Sequence, residues 1–268
     1  MKGFLFYQNM EINLAYKHIP SRKVIAALAD QLYSFLFELK NSFPVELYEE
    51  SSLARAVISL LNTVCEDGEK LTNEFFEELI ATRKDLLSDA QFFVESDPAA
   101  VSFTEVIVAY PGFYAITIHR IAHLLYRKNI PIIPRLFSEH AHSTTGIDIH
   151  PGATIATPFF IDHGTGVVIG QTTQIGKNVR MYQGVTLGAL AVVKEGSGKK
   201  RHPTIEDNVI IYAGSCILGG ETTVGHDTII GGNVWLTHSV APFSLVYHNS
   251  EVKIRDKSEM KEVIDFII

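Results

Sequence analysis

Cysteine is almost missing from this chain of 268 residues: there are two, Cys65 and Cys216, far apart and with no C-x-x-C. That usage leaves a disulfide framework and a zinc ribbon without support. Long apolar runs are missing too. The N-terminal "MKGFLFYQNMEINLAYKH" has too short an apolar stretch for a signal peptide, and "VIVAYPGFYAI" is broken by Pro111-Gly112 well short of a membrane span. Positive charge is scarce, with 23 Lys and Arg against 30 Asp and Glu and a formal net charge of −7. A general nucleic-acid binder needs a basic face, so that class is set aside, and an anionic ligand must find a local cluster of Lys and Arg. The expectation is a cytoplasmic, soluble protein with no membrane and no nucleic-acid partner.

What is present divides the chain in two. From Ser21 to Thr145 apolar residues recur at helical spacing. "SRKVIAALADQLYSFLFELK" opens on a Ser that can cap and places Val24, Ala27, Leu28, Leu32, Phe35 and Leu36 on one stripe. Further helices are predicted near 51–66, 71–96, 101–109, 112–128 and 131–143, with Ser102 and Glu105 as a capping box.

After Gly146 the period becomes six. Ile149, Ile155 and Ile161 form one run, Ile169, Ile175, Met181 and Leu187 a second, and Leu218, Val224, Ile230 and Leu236 a third. Neither a helix nor a single strand sustains that spacing; an internal hexapeptide repeat does. Three hexapeptides make one triangular coil of a parallel β-helix, and about four to five coils are expected, each burying its face against its neighbours. Two interruptions stand out. Ile161 to Ile169 is a step of eight, across "IDHGTGVVIG", and "GALAVVKEGSGKKRHPT" from Gly188 to Thr204 reads as a loop thrown out of the prism. That loop carries Lys194, Lys199, Lys200, Arg201 and His202, the densest positive patch in the chain. The predicted units are 1–145 (helical), 146–250 (β-helix, with loop 188–204) and a tail, 251–268. The fold class is α+β.

With Ile161 inward, Asp162 and His163 project from the surface. A histidine beside an acid is the usual arrangement of a general base. Neighbouring strand residues point apart, so Asp162 is a poor orienting partner for His163, and Asp148, about one coil earlier, is the better one.

The order "GIDIHPGATI", "IDHGTGVVIG", "QGVTLG" and "RHPTI" after a helical half resembles the serine O-acetyltransferases, over about Asp89 to Leu236. The resemblance implies a left-handed parallel β-helix and transfer of acetyl from acetyl-CoA to L-serine, the first step of cysteine biosynthesis. It assigns His163 as general base and Asp148 as the acid that orients it. Arg201 and His202 would hold the substrate carboxylate, and Asp97 and Asp162 its amino group. Gly188, Ala189, Ala213, Lys199, Lys200 and Lys253 would line the acetyl-CoA path. No metal and no permanently bound cofactor is implied. A homotrimer is implied, or a hexamer built from two trimers, with L-cysteine as feedback inhibitor. Ile268, the terminal residue of "VIDFII", would enter the active site of O-acetylserine sulfhydrylase (cysteine synthase).

The sequence departs from the family pattern at Gln171, where Glu is common, and at Ala189, where Gly is common. "HNSEVKI" stands where the family has "G-x-P-A-R", and the first 80 or so residues carry no readable motif. Three other readings compete. A metal enzyme on this scaffold, like the γ-class carbonic anhydrases, needs histidines stacked on successive coils, but His150, His163, His202, His226, His238 and His248 are irregularly spaced. His119 and His123, with His140 and His142 nearby, read as helix packing. An acetyltransferase for homoserine, a sugar or an antibiotic would use the same base and donor, although Asp97, Arg201 and His202 together favour a small zwitterion. A catalytically silent assembly module would have no use for Asp148, His163 and the Arg201-His202 pair.

Overall fold

The computed structural model describes residues 20–39, 50–190 and 199–249. Six helices come first: α1 (Arg22–Phe37), α2 (Glu50–Leu61), α3 (Gly68–Ser96), α4 (Phe103–Ala109), α5 (Pro111–Arg127) and α6 (Ile133–Thr145). Their ends are marked by the chemistry the sequence supplies. Ser21 accepts the Val24 N–H at the start of α1, Pro111 occupies the first turn of α5, and Gly146 closes α6 in the left-handed conformation at φ 73°. Ser102 accepts the Glu105 N–H, but Glu105 reaches back to the Val101 N–H, one residue earlier than a capping box requires. The stripe on α1 is displaced from the predicted one. Ile25, Leu28, Ala29, Leu32 and Leu36 are buried, whereas Val24 is 52% exposed and Ala27 faces solvent. Ser21 starts the helix one residue before Arg22, and the tertiary partners α5 and α6 select the face that the period alone leaves ambiguous.

The rest is a parallel β-solenoid of about five triangular turns. The first turn is β1 (Asp148–Ile149), β2 (Thr154–Ile155) and β3 (Phe159–Ile161); the second is β4 (Val168–Ile169), β5 (Gln174–Ile175) and β6 (Val179–Met181). The third is β7 (Thr186–Gly188), β8 (Thr204–Ile205) and β9 (Ile210–Ile211); the fourth is β10 (Cys216–Leu218), β11 (Thr223–Val224) and β12 (Ile229–Ile230). The last is β13 (Trp235–Leu236), a bridge at Val240, and β14 (Leu245–Val246). Stacked strands form three faces: A (β1-β4-β7-β10-β13), B (β2-β5-β8-β11) and C (β3-β6-β9-β12-β14). The register pairs each inward residue with its equivalent one turn on, as in Ile149 with Ile169 and Ile169 with Leu187. The six-residue period is therefore the length of one prism face with its corner.

Helices and solenoid share a core. Phe93 of α3 packs on Phe160 of β3 at 4.7 Å and on Phe113 of α5 at 5.8 Å between ring centroids. Beside them Asp89 of α3, fully buried, takes Nε and Nη2 of Arg120 at 2.7 and 2.9 Å and the Phe159 N–H at 2.9 Å. Arg120 also donates to the Ile155 carbonyl at 3.1 Å. Two helices and the first solenoid turn are thus tied through one carboxylate, which fixes where the C-terminus of α3 points.

Candidate active site

Both predicted interruptions lie at corners of the prism. The extra two residues between Ile161 and Ile169 form the corner between faces C and A. Here His163 takes a left-handed φ of 54°, and Gly164 and Gly166 take φ of 80° and 79°. The turn closes through the Val167 N–H on the Gly164 carbonyl and the Gly166 N–H on the Gly146 carbonyl, both at 2.9 Å. Strand alternation does not apply in such a turn. His163 Nε2 therefore comes within 3.8 Å of Asp162 Oδ2, against the expectation that the two point apart. The His163 side chain is 72% exposed, and Asp162 is largely covered. Asp148 opens β1 on the adjoining face A, partly buried; the ion pair found for His163 among the described residues is with Asp162.

Asp97 is the C-cap of α3, two turns beyond the Asp89–Arg120 tie. Its Oδ1 accepts the Ala99 N–H at 2.8 Å and its Oδ2 accepts the Tyr110 hydroxyl at 2.6 Å. The Tyr110 hydroxyl is pushed up to about 12, first by that hydrogen bond, then by burial and by the charges of Asp97, Glu105 and Asp162. Tyr182, raised by burial, likewise feels Asp162 and Asp97. One side chain sensing both carboxylates places Asp97 and Asp162 in one electrostatic neighbourhood. Asp162 in turn stands beside the exposed imidazole of His163.

Arg201 and His202 lie elsewhere, at the corner between faces A and B. Residues 191–198 of the protruding loop, including Lys194, fall outside the described residues, as do Lys253 and Ile268. The end of the loop is clamped on Thr172. The Thr172 hydroxyl accepts the N–H groups of Arg201 and His202 at 2.9 and 3.1 Å, and the Thr172 N–H donates to His202 Nδ1 at 3.1 Å. Nδ1 as acceptor assigns the ring proton to Nε2. His202 is held neutral down to about 4 by burial, helped by the Arg201 and Lys200 charges. Its ring fits only because residue 170 is glycine: a Cβ there would lie 2.1 Å from His202 Cδ2. Arg201 Nη2 donates to Gln171 Oε1 at 2.6 Å, and Gln171 Nε2 donates to the Tyr126 hydroxyl at 2.9 Å. Lys200 turns its ammonium onto the carbonyls of Thr172 and His202 at 3.0 and 2.6 Å. Lys199 stays exposed. Gly188 ends β7 and Ala189 follows it at this corner, and Ala213 sits at the C–A corner of the third turn.

Three histidines of the helical half are committed to packing. His119 is buried, and burial holds it well below the usual value; His123 Nδ1 lies 2.8 Å from the Pro151 carbonyl, and His140 Nε2 lies 3.0 Å from the Tyr114 hydroxyl. Among the described residues no group of three or more His, Cys, Asp or Glu is arranged to hold a metal ion, and no helix is long and apolar enough to cross a membrane.

No family model matches the chain. Curated proteins do. A serine acetyltransferase of Synechococcus elongatus, plasmid-borne, is 50% identical over 191 residues, 69% of this chain and 59% of that protein. A serine acetyltransferase of Bacillus subtilis is 49% identical over 164 residues, 60% of this chain and 72% of that protein. The chain belongs to the serine acetyltransferase family. The helical half followed by a solenoid is that family's architecture. Entamoeba histolytica serine acetyltransferase 1, solved with L-cysteine, superposes with a TM-score of 0.67 at 33% identity, over 85% of this chain and 99% of that one. Neisseria gonorrhoeae serine acetyltransferase, solved with serine, gives 0.63 at 27% identity, over 84% of this chain and 82% of that one. The match to the first relative spans less than two thirds of its length.

Tyr110, Thr172 and Tyr126 escaped the sequence reading, because each acts by bonding a functional residue distant in sequence. Gln171 stands in the sequence only as a departure; its side chain accepts a hydrogen bond from Arg201.

Proposed function

We propose that the protein transfers the acetyl group of acetyl-CoA to the hydroxyl of L-serine, giving O-acetyl-L-serine and CoA. The observation that supports this reading is the exposed His163 imidazole beside Asp162 at the first-turn corner, in a chain of the serine acetyltransferase family, with Asp97 sharing the electrostatic surroundings of Asp162. His163 Nε2 takes the hydroxyl proton while the serine oxygen attacks the thioester carbonyl. The tetrahedral adduct collapses with cleavage of the C–S bond, and the proton leaves with the CoA sulfur. A thioester is already activated, so positioning and base catalysis suffice without an acyl-enzyme. Asp97 and Asp162 take the ammonium of serine. Arg201 and His202 take its carboxylate, the guanidinium fork matching a planar anion. Asp148 orients the imidazole in the loaded site, where catalytic hydrogen bonds tighten. Gly188, Ala189, Ala213, Lys199 and Lys200 border the acetyl-CoA path; the roles of Lys253 there and of Ile268 in binding O-acetylserine sulfhydrylase rest on the resemblance alone.

His163 and Arg201-His202 stand at opposite ends of face A, so a site using both is closed by a second copy packed against that face. Its outward residues Val168 and Trp235 are exposed in the single chain, which supports such packing. Repeated around an axis this gives a trimer, and pairing through the helical half gives a hexamer. L-cysteine carries the same amine and carboxylate and competes at this site as feedback inhibitor. The reaction belongs in the cytoplasm, with units 1–145 and 146–250 each supplying part of the site.

The test is free-thiol release from acetyl-CoA with L-serine, L-homoserine, an amino sugar or no acceptor, beside His163→Ala. Release with L-serine that drops by about 10²–10⁴ in the variant supports the reading. Release with the sugar alone refutes the roles of Asp97 and Arg201.

A further inference from the structure

The junction of α4 and α5 reads Tyr110-Pro111-Gly112, and its two ends touch the two halves of the acceptor corner. At one end the Tyr110 hydroxyl donates to Asp97 Oδ2 at 2.6 Å, while the Ala99 N–H fixes the other carboxylate oxygen at 2.8 Å. Each oxygen keeps a second lone-pair direction for a ligand. The Tyr110 ring is itself fixed edge-on against Phe93 at 6.0 Å. At the other end the backbone of Gly112 lies against Ile161, the residue before Asp162-His163; a Cβ at 112 would sit 2.2 Å from the Ile161 carbonyl oxygen. Pro111 between them starts α5 with a fixed φ, so the two contacts are rigidly spaced.

We propose that Tyr110-Pro111-Gly112 is a brace that sets the distance between the ammonium-binding carboxylate Asp97 and the base His163. Tyr110 is a positioning residue for substrate binding, and Gly112 a positioning residue for the chemical step. This rests on the functional reading above and extends it to residues that touch neither serine nor the donor. An amine held at Asp97 presents its hydroxyl, three bonds from the nitrogen along the substrate, at a place the brace determines. Acceptors with one more methylene, such as L-homoserine, would then place their hydroxyl out of register with His163. The brace thereby contributes to choice of acceptor as well as to rate.

The two ends predict different kinetic signatures. Tyr110→Phe keeps the ring on Phe93 and removes only the hydroxyl, leaving the Asp97 carboxylate held by the Ala99 N–H alone. Losing a hydrogen bond to a charged group weakens serine binding, so the KM for L-serine should rise about ten-fold, with kcat and the KM for acetyl-CoA changed less than about three-fold. Gly112→Ala displaces the Ile161 carbonyl and the turn after it, so kcat should fall about ten-fold or more, with the KM for L-serine changed less. Thermal melts of both variants separate these effects from unfolding.

Steady-state kinetics with both substrates varied, on the full chain, decide it. A KM for L-serine within about two-fold of the parent in Tyr110→Phe overturns the brace, as does a parallel loss in the parameters of both substrates, which marks a merely structural role. A parent protein inert toward L-serine overturns the functional reading and the brace together. A parent active on L-serine with an unaffected Tyr110→Phe overturns the brace alone.

Discussion

Replacing Asp89 by alanine is expected to destabilise the protein by about 3–5 kcal/mol, because it leaves the Arg120 guanidinium buried without its counter-charge. Asp89 is 0% exposed and Arg120 10%. Three hydrogen bonds vanish at once, two from Arg120 and one from the Phe159 N–H. A buried charge stripped of its partner costs more than the pair ever contributes, since the pair itself is near balance between Coulombic gain and desolvation. A second variant isolates that asymmetry. Asp89→Leu with Arg120→Met removes both charges and refills the space, so its destabilisation should be smaller than that of Asp89→Ala. It should not vanish, because the Ile155 carbonyl loses the Arg120 donor and the buried Phe159 N–H loses its acceptor, at about 1 kcal/mol or more each. Urea unfolding at fixed protein concentration, followed by circular dichroism, gives the three free energies. Asp97 lies on the same helix, so the KM for L-serine should rise in Asp89→Ala even where the fold survives. A loss below about 1 kcal/mol for Asp89→Ala, or a double variant as unstable as the single one, would refute the account of this pair.

Two further outcomes follow from the same geometry. His202 stays neutral in the folded protein down to about 4, displaced downward from the ordinary histidine value by burial. Between pH 6.5 and 4 the unfolded chain binds the proton and the folded chain does not, so stability present above pH 6.5 is lost as pH falls toward 4; at about 1.4 kcal/mol per pH unit this amounts to roughly 2–3 kcal/mol. Urea melts at pH 7 and 4.5 should show a smaller decline in His202→Asn than in the parent, and equal declines would contradict the burial argument. If the site is shared between copies, His163→Ala and Arg201→Ala chains, each inactive, should regain activity when unfolded and reassembled together. Random mixing restores both intact halves at about a quarter of the sites, and no recovery would refute a shared site.

The architecture was legible because its determinants are periodic. The six-residue recurrence of Ile149, Ile155, Ile161 and their successors names most of the inward column, although on the fourth turn it names Leu218 where Ile217 is the residue in register with Leu187 and Leu236, and the step of eight to Ile169 marks an extended corner. The site was legible as far as its residues sit in contiguous motifs: Asp162-His163 and Arg201-His202 announce themselves by being polar beside inward apolar residues. What stayed hidden was contact between distant segments. Nothing local in "FTEVIVAYPGF" says that Tyr110 bonds Asp97, and the alternation rule misdirected Asp162 because it presumes extended backbone where His163 is left-handed. Val24 failed on α1 for a related reason: two adjacent stripes share the same spacing, and only the packing partner separates them.

The extended corner occurs in the first turn of the solenoid, directly beneath α3 and α5, and these helices reach on to the second turn through Ser96 on Arg180 and Tyr126 on Gln171. In the proposed reading the base and the ammonium-binding carboxylates thus sit at the helical end of the stack, and the carboxylate-binding Arg201 and His202 sit further along, between β7 and β8 of the third turn. Adding or deleting a turn beyond the third would alter the span open to the proposed long donor while leaving both groups in place. The distal turns can in this way change in number across related chains without disturbing the acceptor side of the proposed site.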